Sequence, residues 1–151
     1  MDVIDAKILS CLKENSRENA TNIGNKINLS TSAVIERIKK LEASGIIECY
    51  TTIINQERLG RSLMAYINVR LEHPKHYENF VNTVNGHSSL AECYYIAGDF
   101  DFILKVVTVS AKGLEDILNT IKSIEGVSMT RTSVVLSQNK REVTLLPDIK
   151  E

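Results

Sequence analysis

Tryptophan is missing from this 151-residue chain, proline occurs twice, glycine seven times, and aromatic residues make up 5%. So little proline and glycine argues against a collagen-like or low-complexity disordered chain. Cysteine is scarce as well. Cys11, Cys49 and Cys93 lie far apart with no Cys-x-x-Cys pair, which suggests neither a disulfide framework nor a zinc cage. A reducing, cytoplasmic setting is expected from that usage. No apolar run approaches the roughly 20 residues needed to span a bilayer. The start, Met1-Asp2-Val3-Ile4-Asp5, is acidic where a secretory signal is basic, so no membrane partner is expected. Excess charge of one sign is lacking too: 18 Lys+Arg stand against 19 Asp+Glu, a net of −1. That balance argues against a protein that coats nucleic acid by bulk charge, and any such binding must come from where the charges sit. What remains, 43% hydrophobic and 25% charged residues, is the composition of a globular protein.

The first third carries helical periodicity and the rest strand alternation, so two differently built domains are expected, 1–60 and 61–151. Ile4, Ile8, Cys11 and Leu12 form one stripe of a first helix, with Asp2 as N-cap and Asp5 at the positive end of its dipole. Asn19 caps a short second helix with Ala20, Ile23 and Ile27 on one face, and Asn28 ends it because asparagine tolerates positive φ. Two residues on, Ser30 caps a third helix, with Leu29 and Val34 as a hydrophobic staple, Ile38 and Leu41 continuing the buried stripe, and Gly45 at its end. A short extended segment, Ile46 to Ile54, leads into the hinge-like Asn55 to Gly60. The first domain thus reads as a three-helix, winged-helix-like helix-turn-helix.

From residue 62 the order is strand, helix, strand, strand, helix, strand. Leu63 to Leu71 alternates with period two. Pro74 opens a helix that Gly86 closes. Leu90 to Ala97 and Phe102 to Val109 form a hairpin across Gly98-Asp99-Phe100-Asp101. Leu114, Ile117, Leu118 and Ile121 mark another helix, and Val127 to Ser137 the last strand. This βαββαβ order is the ferredoxin-like arrangement, giving an α+β fold class overall. Two helices cover one sheet face. Met64, Tyr66, Tyr94, Tyr95 and Val134 are candidates for the other, and an apolar face of that size predicts a homodimer packed sheet to sheet.

Two short helices joined by a four-residue turn form a helix-turn-helix, whose second helix enters the major groove of double-stranded DNA with its N-terminal half toward the base edges. Here that helix is residues 31 to 44. Thr31, Ser32 and Glu36 can hydrogen-bond to bases, and Arg37, Lys39 and Lys40 can reach phosphates or a guanine edge. Asn19, Thr21, Asn22, Ser30 and Ile35 complete the candidate DNA-binding set. Residues 1 to 60 carry 8 Lys+Arg and 8 Asp+Glu, so the attraction must come from this one face. A dimer presenting two such helices to half-sites about 34 to 36 Å apart would double the phosphate contacts.

The residues Asp2-x-x-Asp5-x-x-Ile8-Leu9-x-x-Leu12, Asn15-Ser16-Arg17, Ile23-Gly24 and Leu29-Ser30-x-x-Ala33-Val34-x-x-Arg37-Ile38-Lys39-Lys40-Leu41-Glu42-x-x-Gly45-Ile46-Ile47 resemble the amino-terminal domain of the Lrp/AsnC (leucine-responsive, feast/famine) transcription regulators. The likeness continues through Glu92-Cys93-Tyr94, Gly98-Asp99-Phe100-Asp101-Phe102-Ile103-Leu104-Lys105-Val106 and Gly126-Val127-x-x-Thr130-Arg131-Thr132, and so spans nearly the whole chain. The resemblance implies DNA binding through the helix-turn-helix, dimerisation through the βαββαβ domain, and further assembly to tetramers or octamers. It also implies an amino-acid effector held near Gly98 to Asp101, with Ala97, Thr132 and Ser133 as further candidates. Amides near Gly98 can hold a carboxylate, and Asp99 or Asp101 can accept from an ammonium group. Asn19, Asn22 and Asn28 depart from the family pattern but leave competent caps. Ala97 and Ser133 stand where leucine-responsive members tend to carry threonine and tyrosine, so leucine is not carried over as the effector.

No enzyme is expected. His73, His76 and His87 flank a helix near its polar ends, Asp99 and Asp101 lack a third acid at metal-site spacing, and there is neither a phosphate loop nor a His-Glu-x-x-His run. No catalytic residue, metal or cofactor is assigned. The rival reading is an amino-acid-sensing interaction module acting on a protein partner, with the helical domain as a docking arm. Single-stranded RNA binding by the sheet lacks the aromatic and basic pattern it would need.

Overall fold

The computed structural model describes residues 1–147. It divides into two compact units, residues 1–53 joined by residues 140–147, and residues 54–139. The sequence reading carries the second domain to the end of the chain. In the structure Glu142 pairs with Lys13 at 3.8 Å, and residues 140–147 group with the helical unit.

In the first unit α1 (Val3–Glu14), α2 (Ala20–Ile27) and α3 (Thr31–Ala43) enclose Ile8, Cys11, Ile23, Val34 and Leu41. Each large side chain buried there contributes about 1.5–3 kcal/mol against exposure. The helix ends follow the side-chain chemistry. Asp5 N–H donates to Asp2 Oδ1 at 2.8 Å while Asp2 N–H donates to Asp5 Oδ2 at 2.9 Å, a reciprocal capping box. α3 closes where Gly45 takes φ +73° and Ile47 N–H returns to the Leu41 carbonyl at 3.1 Å. The segment Ile46 to Ile54 has no regular structure, and no strand pairs with it among the described residues.

The second unit is a four-stranded antiparallel sheet in the order β2-β3-β1-β4, built from β1 (Leu63–Leu71), β2 (Leu90–Tyr95), β3 (Phe102–Thr108) and β4 (Val127–Val134). α4 (Tyr77–Asn85) and α5 (Ala111–Lys122) cover one face. Ala65, Ile67 and Val69 of β1 and Phe102, Leu104 and Val106 of β3 point into the core with Phe80, Leu114, Ile117 and Ile121 from the helices. Period-two alternation in the strands meets helical periodicity in α4 and α5 at this one layer. Pro74 opens a 3-10 turn, Pro74–His76, ahead of α4, and β4 ends three residues short of the expected Ser137, although Val135 N–H still bonds the Met64 carbonyl at 2.8 Å.

The register settles which side chains share the uncovered face. Met64, Tyr66, Asn68 and Arg70 alternate with the core residues of β1. Opposite them stand Ile103, Lys105 and Val107 of β3 and Met129, Arg131 and Ser133 of β4. Tyr94 joins this face through Ile103. Tyr95 and Val134 do not, which corrects the expectation for both. Neighbouring strand residues point to opposite sides, and Tyr95 faces Phe102, packing edge-on against Tyr77 of α4 with ring centroids 5.1 Å apart. Val134 lies opposite Ala65, on the helix-covered side.

Candidate nucleic-acid interface and effector loop

The turn between α2 and α3 is specified residue by residue. Asn19 accepts the Asn22 N–H at 2.8 Å and so caps α2. Asn28 takes the left-handed conformation, φ 57° and ψ 49°, and ends it. Ser30 accepts the Ala33 N–H at 3.2 Å and starts α3. Gly24 lets the two helices close on each other: a Cβ at this position would lie 2.4 Å from the Leu29 carbonyl oxygen, while the Gly24 carbonyl accepts the Leu29 N–H at 2.9 Å. The Thr31 hydroxyl donates to that of Thr21 at 3.3 Å, joining the start of α3 to the exposed side of α2, while the Ser30 and Ser32 hydroxyls meet at 3.2 Å at the start of α3.

Outward from this turn stand Asn19, Thr21, Asn22, Ser30, Thr31, Ser32, Ile35, Glu36, Lys39 and Lys40, all exposed. Asn22 is held by more than the cap, because its amide donates to Glu18 Oε1 at 2.8 Å while Lys26 Nζ holds Glu18 Oε2 at 3.2 Å. The Asn22 amide first, and then Lys26, draw the Glu18 carboxyl below its ordinary range. Sequence reasoning missed Glu18 and Lys26. Their eight-residue separation across the α2 cap was the available signal.

Arg37, expected to meet DNA, is half-buried and already engaged within the helical unit. Its guanidinium Nη1 donates to Asp2 Oδ2 at 2.8 Å and Asp5 Oδ1 at 2.7 Å, tying α3 to the capping box of α1. The two carboxylates raise the Arg37 pKa, and the Asp5 backbone N–H, followed by Arg37, lowers that of Asp2. Helix geometry explains the diversion: Arg37 sits beside Ala33 and Lys40 on the flank turned toward α1, not opposite the buried Val34 and Leu41. Lys40 pairs with Glu36 at 2.7 Å. Lys39 is the one α3 cation without an ion pair among the described residues.

In the second unit Gly98, with φ +138°, begins a loop pinned to β1. Asp101 N–H donates to the Val69 carbonyl at 2.9 Å, and Asp101 Oδ2 accepts the Leu71 N–H at 2.7 Å. One Asp101 oxygen is thus committed to holding the loop, while Asp99 is exposed and offers its carbonyl to Arg70 Nε at 2.7 Å. Phe100 is buried under two guanidinium groups, those of Arg70 and Arg131, 5.5 and 5.1 Å from its ring centre. Ala97 is exposed beside the loop. Thr132 and Ser133 are not brought together with it on one face: Thr132 lies opposite Ile67 on the covered side and Ser133 opposite Tyr66 on the open side. Arg70 and Arg131, given no role in the sequence reading, are the open-face residues that reach the loop. The signal for them was a pair of basic residues at alternating strand positions. Among the described residues no group of three or more His, Cys, Asp or Glu can hold a metal ion, and no helix is long and apolar enough to cross a membrane.

A capped, closely packed helix pair with a polar outward face, in a chain that also holds a βαββαβ unit, defines a helix-turn-helix protein with a ferredoxin-like second domain. Residues 1–42 match the AsnC-type helix-turn-helix domain, and residues 64–145 match the Lrp/AsnC ligand binding domain. The chain belongs to the Lrp/AsnC family. The HTH-type transcriptional regulator FL11 of Pyrococcus abyssi is 36% identical over 147 residues, covering 97% of this chain and 96% of the relative. The leucine-responsive regulatory protein of Escherichia coli is 30% identical over 149 residues, covering 97% and 91%. A solved transcriptional regulator from Neisseria meningitidis, in complex with L-methionine, superposes with a TM-score of 0.91 at 28% identity over 96% of both chains.

Proposed function

We propose that this chain is a sequence-specific regulator of transcription that binds double-stranded DNA through α2 and α3 and is modulated by an amino acid. The observation that carries this reading is the turn itself: Asn19, Gly24, Asn28 and Ser30 fix α3 against α2 while leaving Thr31, Ser32, Ile35, Glu36 and Lys39 exposed on one side. Such a helix presents the side chains of its N-terminal half toward base edges. The names of the FL11 and leucine-responsive relatives support the same conclusion. The chain acts in the cytoplasm and has no catalytic role.

Reading DNA with so few free cations requires two copies. The open sheet face, with Met64, Tyr66, Ile103 and Val107 along its centre, supports a homodimer packed sheet to sheet, and further assembly to a tetramer or octamer. The functional division falls between residues 53 and 60, with the reading head before it and the dimer and effector part after it. The effector is held at the Gly98 to Asp101 loop. Its amides near Gly98 suit a carboxylate and the exposed Asp99 suits an ammonium group. The L-methionine complex of the Neisseria meningitidis relative supports an amino acid as the ligand class.

The test is retention of genomic fragments by the full-length protein and by the double variant K39A/K40A. Specific fragments held by the native chain and lost by the variant are expected. Equal retention by both, or none by either, overturns the reading. Sedimentation of the protein with each amino acid in turn is expected to show one that changes the assembly, because effector binding and assembly are reciprocally linked.

A further inference from the structure

The outward face of α3 holds few phosphate clamps. Arg37 is drawn away to Asp2 and Asp5, Lys40 is paired with Glu36, and Lys39 alone among the α3 cations has no ion pair among the described residues. Opposite the buried stripe of Val34 and Leu41, the centre of that face is a carboxylate, Glu36, whose side chain is 69% exposed. Beside it Ile35 is 42% exposed, and the packing of the helices does not use it. A carboxylate and a branched apolar side chain on a DNA-reading helix are both unsuited to the phosphate backbone. One is repelled by it and the other gains nothing from it.

Resting on the proposed DNA-binding function, we infer that Glu36 and Ile35 determine operator specificity, Glu36 by accepting a hydrogen bond from the N4 amino group of a cytosine and Ile35 by contacting the methyl group of a neighbouring thymine. In the major groove cytosine presents only an amino donor. Adenine presents its amino group beside the N7 acceptor, which repels the second carboxylate oxygen, and guanine and thymine present acceptors at the corresponding edge. A charged acceptor with no donor of its own therefore favours cytosine among the four bases. Thymine alone carries an apolar methyl group on the groove floor. The Glu36–Lys40 pair is an exposed i,i+4 pair and exchanges readily. When Glu36 turns to a base, Lys40 is released toward the adjacent phosphate, so one rearrangement supplies both a base contact and a backbone contact.

The test begins with selection of binding sequences from a random duplex pool by the full-length protein. Fluorescence anisotropy then measures the best site and each of its single-base variants, for the native protein and for E36A, I35A and K39A. In each half-site one position is expected to favour cytosine by about tenfold or more, within the range a good base contact supplies. E36A should flatten that position while the others keep their preference, and I35A should flatten a thymine position next to it. K39A should weaken all sequences evenly. If E36A retains the native preference at every position, the inference is overturned while DNA binding stands. If the native protein selects no sequence at all, the proposed function fails first and the inference with it.

Discussion

Gly24 lies within α2, and alanine at an interior helical glycine ordinarily stabilises by about 1 kcal/mol because it restricts the unfolded chain. At this position the opposite is expected. The new Cβ would stand 2.4 Å from the Leu29 carbonyl oxygen and 3.5 Å from its carbon, and the obstacle is backbone that no rotamer change can remove. Relieving it needs a displacement of roughly 1 Å between α2 and the turn, and forced overpacking of this kind costs about 1–3 kcal/mol. The same displacement stretches the hydrogen bond from Leu29 N–H to the Gly24 carbonyl, now 2.9 Å, which contributes about 1 kcal/mol. Set against the propensity gain, G24A should lose about 1–3 kcal/mol. N25A is the comparator, because Asn25 is exposed in the same helix and its replacement should gain about 0.5 kcal/mol. Urea unfolding at one fixed protein concentration, which holds the assembly contribution constant, should place G24A below the native midpoint and N25A at or above it. DNA affinity should fall for G24A alone, because the tilt of α3 changes with the turn. A G24A midpoint equal to or above the native one would show that the helices do not depend on this approach, and would refute the account of how α3 is positioned.

Arg37 and Lys39 separate by salt dependence. A residue that neutralises a phosphate contributes about −0.9 to the slope of log K against log salt for each contact, so K39A should flatten the slope. R37A should weaken binding at every salt concentration with the slope unchanged, and D2A/D5A should reproduce it; a flattened slope for R37A would return that residue to the DNA. Tyr50 donates to Glu42 Oε1 at 2.9 Å, and desolvation, then Glu42, pushes its pKa up to about 12. A raised pKa means that the folded state holds the proton more firmly, so this contribution is complete below pH about 10 and is lost as pH rises toward about 12. Tyr94 is raised as well, by its hydrogen bond to Glu92, so ultraviolet titration of the native protein against Y50F should assign a late-ionising phenol to Tyr50, and E42A should move it partway back. An unshifted midpoint in the native protein would show that Tyr50 is solvated.

The elements that were legible in the sequence are those whose signal is local. The caps at Asp2, Asn19 and Ser30, the stop at Asn28 and the alternation in β1 each need only a few neighbouring residues, and each forms where the pattern predicts. Phase across the sheet is not local. Tyr94 and Tyr95 look equivalent in the chain, and what decides between them is the pairing of β2 with β3, including the irregularity between Leu90 and Glu92. Val134 and Val135 differ in the same way, through pairing with β1. The final segment escaped for a related reason, because its partner Lys13 lies more than a hundred residues earlier.

Charge shows the same limit at the candidate site, with a larger consequence. Read along α3, Arg37, Lys39 and Lys40 form one basic cluster suited to phosphate. Read in three dimensions they face three surroundings: two carboxylates on α1, open solvent, and the carboxylate of Glu36 one turn away. A cation already held by two acids has less left to give a phosphate, because the pair must be broken before the contact forms. The basic content of the helix therefore overstates its non-specific affinity for DNA. A reading helix weak in non-specific binding gains discrimination, since specificity is the difference between two affinities and not the larger of them. On the proposed homodimer, joining two such helices would recover the affinity given up on one, which makes pairing a condition of recognition under that proposal.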